Sequence, residues 1–121
     1  MKDLKKNVSD NVIENVDCIE LKNQGGFVTR LKVYHKKSEF GKPDEKGETK
    51  DITLGFHKSI NLSTTDGINE GDLVTAYARV ILGKNNHSDV WFKYKKGCNK
   101  TAKFTISGTT LDNELGFNGI K

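Results

Sequence analysis

From Val16 onward the apolar residues of this chain recur at every second position, a period that fits half-buried strands and excludes amphipathic helices. The clearest run spans residues 73–82, where Val74, Ala76, Ala78, Val80 and Leu82 share one face and Thr75, Tyr77 and Arg79 the other. Residues 88–115 hold two more runs, 89–94 and 101–107, joined by a turn rich in Lys and Gly; Ala102, Phe104 and Ile106 are expected to face inward. Shorter runs occur at 16–21 and at 27–35, the latter with Phe27, Leu31 and Val33 opposite Arg30 and Lys32. At 51–56 the pattern places Ile52, Leu54 and Phe56 on one face, and Ile60 and Leu62 continue it.

Turn chemistry separates these runs: Asn23-Gln24-Gly25-Gly26, Thr65-Asp66-Gly67 and Asn69-Glu70-Gly71-Asp72. Residues 36–50, polar and holding the only proline, Pro43, read as a long surface loop. About seven to eight short strands between frequent turns predict an all-β fold, an antiparallel β-sandwich. Residues 1–15 read as a polar N-terminal arm and 16–121 as one domain, a length sufficient to bury one core.

Composition narrows the function classes. No apolar run approaches the length of a membrane-spanning helix, and the charged N-terminus lacks the apolar stretch of a secretory signal. A cytoplasmic protein, or one exported by a non-classical route, is expected. The net charge of +4 comes from 20 basic and 16 acidic residues, a balance that argues against a nucleic-acid partner. Cys18 and Cys98 are the only cysteines and form no Cys-x-x-Cys motif; with no secretory signal, two free thiols are expected, a single disulfide across the fold being the alternative.

No motif for catalysis is present. His35, His57 and His87 lie far apart, and neither a nucleophile elbow, a P-loop nor a dinucleotide fingerprint occurs. His35 and His57 both end strand-like runs, and only their meeting in a cleft would suggest an enzyme. The loop at 66–72 has oxygen-bearing residues but not the EF-hand order. A non-enzyme without cofactor or metal is expected.

The candidate surface is Trp91-Phe92-Lys93-Tyr94-Lys95-Lys96. With Phe92 and Tyr94 inward, Trp91, Lys93 and Lys95 project from the other face, joined by Lys96 and by Tyr77 of the neighbouring run. An aromatic ring among lysines suits a membrane–water interface or stacking on a sugar. The same pattern also fits a second buried face with lysines on a sheet edge.

Two segments, Asn23-Gln24-Gly25-Gly26-Phe27-Val28-Thr29-Arg30-Leu31-Lys32-Val33 and Ala102-Lys103-Phe104-Thr105-Ile106-Ser107-Gly108-Thr109-Thr110-Leu111, carry a family likeness. With Gly71-Asp72 entering the Leu73 run between them, the chain resembles the small nematode proteins named for up-regulation in long-lived animals. It departs from them in its Lys/Glu-rich 36–50 segment and in Ala102, where a cysteine is expected. The resemblance implies a sandwich like that of the aegerolysins, small proteins that bind membrane lipids, some acting with a larger partner to permeabilise membranes. The leading expectation is a non-enzymatic membrane- or lipid-binding β-sandwich, one component of a cytolytic or insecticidal system. The alternatives are a carbohydrate-binding module stacking a sugar on Trp91 or Tyr77, and an assembly protein forming homo- or hetero-oligomers through strand edges.

Overall fold

The two-residue period resolves into two sheets packed face to face. In the computed structural model, which describes residues 13–121, one sheet has the order β1 (Asn15–Val16), β8 (Phe92–Tyr94), β6 (Leu73–Val80), β3 (Thr29–Lys36), β4 (Asp44–Glu48). The short β7 (Asn86–His87) also pairs with β6. The second sheet has the order β10 (Asn113–Ile120), β9 (Thr101–Gly108), β2 (Cys18–Gly25), β5 (His57–Asn61). The fold is the all-β sandwich expected, with ten strands among the described residues in place of seven to eight. The expected arm lies outside the described residues up to residue 12, and Asn15 opens β1.

Most pairs are antiparallel, but β1–β8 and β2–β9 are parallel. Both follow from two crossings side by side, β1 into β2 and β8 into β9, each passing from the first sheet to the second. The chain leaves β1 and enters the other sheet at Asp17, whose carboxylate accepts from the backbone N–H of Asn99 (2.9 Å) and Lys100 (3.2 Å). The core between the sheets is built from the inward faces of β2, β3, β6 and β9, with Ile19, Leu21, Leu31, Val33, Phe104 and Ile106 all buried.

Several sequence expectations shift. Residues 23–26 do not form the expected hairpin turn; β2 continues through Gly25, matched residue for residue by β9 as far as Gly108. A Cβ on Gly25 would lie 2.2 Å from the Phe27 ring, so glycine is what lets Phe27 fold back into the core. The 36–50 loop contains β4, an edge strand held by cross-strand charge pairs and lacking apolar alternation. Of Ile52, Leu54 and Phe56 only Ile52 is buried, and Leu82 leaves the β6 face altogether. β10 was not legible, because Gly116, Gly119 and a bulge between Phe117 and Gly119 interrupt its alternation.

The pairing defines two ends. At the tip lie the C-terminal ends of β2, β6 and β9 and the starts of β3, β5 and β10. At the base lie the starts of β2, β6 and β9 together with the β3–β4 turn, Asn15 and Lys121.

Candidate functional site

The outward face of the β3–β6–β8 sheet carries the aromatic residues singled out above. Tyr34 on β3 meets Tyr77 on β6 edge-on at 5.0 Å and lies parallel to Trp91 with centroids 6.5 Å apart. His87 on β7 adds a ring 5.2 Å from Tyr34. Thr75, which faces Tyr34 across the β3–β6 pair, is fully buried and donates its hydroxyl to the Val90 carbonyl. The Lys36 ammonium stands 4.2 Å from the Trp91 centroid and Lys32 Nζ 6.0 Å from that of Tyr77. The Tyr77 hydroxyl accepts from Asn85 Nδ2 at 3.1 Å. Burial and the nearby Glu45 carboxylate hold the Tyr77 phenol above its ordinary pKa.

Trp91 is thus half-buried, neither fully exposed nor part of the core between the sheets. Tyr77 joins it through Tyr34. Lys93, Lys95 and Lys96 are exposed, and they run from the Leu73 register position down to the base. Tyr34, Lys32, Lys36 and His87 belong to the same face, and single runs did not reveal them. The register of β3 on β6, and for His87 that of β7 on β6, brings them there, and no period within one strand encodes it.

The tip has a different character. Leu54 is 61% exposed, Phe56 65%, Leu82 94% and Leu111 73%. They stand on three loops, two of them hydrogen-bonded to each other and the third to β2. Lys84 N–H donates to the Thr110 carbonyl at 2.7 Å, and Asn113 Nδ2 donates to the Lys84 carbonyl at 2.9 Å. A Cβ on Gly83 would lie 2.3 Å from the Thr110 oxygen, so the 82–84 loop seats directly on the 109–111 loop. The 52–56 loop is fixed through Asn23, which is fully buried. Its side-chain amide donates to the carbonyls of Phe27 (2.6 Å) and Ile52 (2.9 Å), and its backbone bonds Gly55 and Phe56. Leu82 has φ +60°, in the left-handed region that costs a non-glycine residue about 1–2 kcal/mol. A strained, solvated leucine on a clamped loop is a functional signal more than a packing one.

The base holds a polar cluster around the buried His35 and Asp72. His35 Nδ1 lies 2.9 Å from Asp44 and Nε2 2.8 Å from Asp72, with Lys37 Nζ 3.3 Å from the same Asp72 oxygen. For Asp72, burial acts to raise the pKa. The Asn69 N–H, the His35 ring and the Lys37 ammonium outweigh it and leave the carboxyl below its usual range. The His35 ring is also the main cause of the lowered pKa of Asp44. His57 lies at the tip, opposite Lys22, so the two histidines do not meet. Asp72, in the loop with oxygen ligands, turns inward to this cluster.

Neither a family model nor a curated protein sequence matches the chain. Among solved structures it is similar to the cytotoxin suilysin from Streptococcus suis, at 14% identity and a TM-score of 0.43, covering 87% of this chain and 23% of that one. It is also similar to the membrane-binding domain of pneumolysin, at 16% identity and a TM-score of 0.40, covering 84% and 95%. The human-specific toxin intermedilysin matches at 12% identity and a TM-score of 0.42, covering 86% and 23%. The chain therefore spans about a quarter of the full-length toxins that it resembles.

Proposed function

We propose that this protein is a non-enzymatic membrane-binding β-sandwich that enters the lipid surface with its tip. The observation that carries the reading is the set of four exposed apolar side chains, Leu54, Phe56, Leu82 and Leu111, on loops clamped at one end of the molecule. Fully burying a Leu or Phe side chain is worth about 1.5–3 kcal/mol, so four together supply enough to offset the cost of immobilising a protein on a bilayer. Clamping the loops before contact removes most of the ordering cost that mobile loops would bring.

Charge plays a minor part at this end, where the loops carry both signs, Lys50 and Lys84 beside Asp51 and Asp112, and Asp51 pairs with Arg30. Attachment is therefore apolar and insensitive to salt. No strand among the described residues is longer than eight, against about 9–11 for a tilted membrane-spanning strand. In this reading the domain attaches to a membrane, and any permeabilisation belongs to a partner.

Flotation with phosphatidylcholine–sphingomyelin and phosphatidylcholine–phosphatidylserine vesicles tests the proposal. Binding to both, unchanged on raising the salt, is expected. Leu82→Ala with Leu111→Ala is expected to weaken it about a hundredfold, roughly tenfold for each leucine. Absence of binding to either vesicle, or wild-type binding by the double variant, overturns it.

A further inference from the structure

We infer that the aromatic face of the β3–β6–β8 sheet is a second binding site, for an acidic glycan: a sugar ring that carries a carboxylate or sulfate. The site is separate from the tip and does not depend on it. Lys36 and Lys93 flank Leu73 in the sheet register, and beside that row lie Tyr34 and Trp91. Among the described residues neither lysine has a carboxylate within ion-pair distance, whereas the cations further along the same face do. Lys32 pairs with Glu45 at 2.8 Å, Arg30 with Asp51 at 2.6 Å and Arg79 with Glu48 at 3.3 Å. The cations around Tyr77 are paired, whereas among the described residues Lys36 and Lys93 beside Trp91 are not; Asp89, 3.8 Å from His87, is the carboxylate at the border of this face.

That contrast selects the occupant. The C–H face of a pyranose is a weakly positive apolar surface that suits the negative face of an indole. In the free protein the face of Trp91 is not bare. The Lys36 ammonium occupies it at 4.2 Å, steadied by a 3.1 Å hydrogen bond to the Glu39 carbonyl. A neutral sugar has nothing to offer that ammonium in exchange. An acidic sugar does, because a charge-assisted hydrogen bond to an ammonium is stronger than an exposed cation–π contact. Lys36 thus acts as a gate on Trp91 that an anion opens, and Lys93 supplies a second cation on the far side of Leu73. The Tyr77 hydroxyl, the Asn85 amide and His87 border the same face and offer hydrogen bonds to sugar hydroxyls.

Trp91 is the only tryptophan, so its fluorescence reports this site alone. The probes are 3′-sialyllactose, a heparin-derived tetrasaccharide and lactose. A saturable change with at least one acidic probe, at least about tenfold tighter than with lactose, is expected from one charge-assisted bond. Lys36→Ala removes the gate and one of the two cations, so the preference for acid over neutral sugar is expected to fall, and to collapse toward unity when Lys93→Ala is added. That ratio is a readout which a merely packed aromatic cluster would not give. The Leu82→Ala, Leu111→Ala protein is expected to bind the acidic probe as wild type does, while failing on vesicles. No saturable response to either acidic probe up to about 10 mM, weaker than any useful affinity, overturns the inference, as does equal binding of lactose by the unmodified protein. Loss of sugar binding in the double leucine variant overturns the independence of the two sites.

Discussion

Asn23 holds the tip together from inside the protein. Fully buried, it gives both amide hydrogens to loop carbonyls and accepts the Gly25 N–H at 2.8 Å on its side-chain oxygen. Asn23→Asp keeps the shape but turns the donating atom into an acceptor facing two carbonyl oxygens. The expected loss is at least about 2 kcal/mol, seen as a lower urea midpoint with an unchanged slope. Asn23 reads in sequence as a turn former, since Asn-x-Gly-Gly is turn chemistry, and only the burial of its position shows it to be a core amide. Leu82 departs from its alternating pattern for a related reason. Alternation continues through Leu82 on paper, but the backbone enters the left-handed region there and points the side chain to solvent.

At the scale of elements, the clamped loops separate stability from binding. Leu82→Gly relieves the positive-φ strain and removes the side chain that the proposal places in the bilayer. Thermal stability is expected to be retained or to rise, while vesicle affinity falls about tenfold. Calorimetry and flotation on the same preparation check both halves. Gly83→Ala is expected to do the reverse, destabilising the fold because a methyl has no room against the Thr110 carbonyl and the Val80 side chain. β3, β6 and β9 were legible because their apolar residues alternate without interruption. β4 was not, since its pairing rests on Lys32–Glu45 and His35–Asp44 contacts that no single segment displays. The lysine–aromatic face was legible in part. Trp91, Tyr77 and Lys93 came from their own strands, whereas Tyr34 and Lys36 joined them only through strand register.

For the whole molecule, the base and the tip have different sensitivities. Asp44 and Asp72 have pKa values lowered on folding, so their contribution is present above the unfolded value, about 3.9, and is lost as pH falls through the lower folded values. Unfolding monitored against pH is therefore expected to show stability dropping below about pH 4. His35→Ala is expected to flatten part of that drop, since Asp44 loses the main cause of its lowered pKa and Asp72 loses one of three, keeping the Asn69 N–H and Lys37. The base also bears an exposed apolar residue, Phe40, 95% exposed at the β3–β4 turn beside Lys37. It is the natural rival to the tip for contact with a bilayer. A Trp91→Phe protein carrying either Leu82→Trp or Phe40→Trp distinguishes the ends, with vesicles containing brominated lipid as quencher. The account predicts blue-shifted, quenched emission from position 82 and unchanged, solvent-like emission from position 40. Quenching at position 40 with none at position 82 would contradict it.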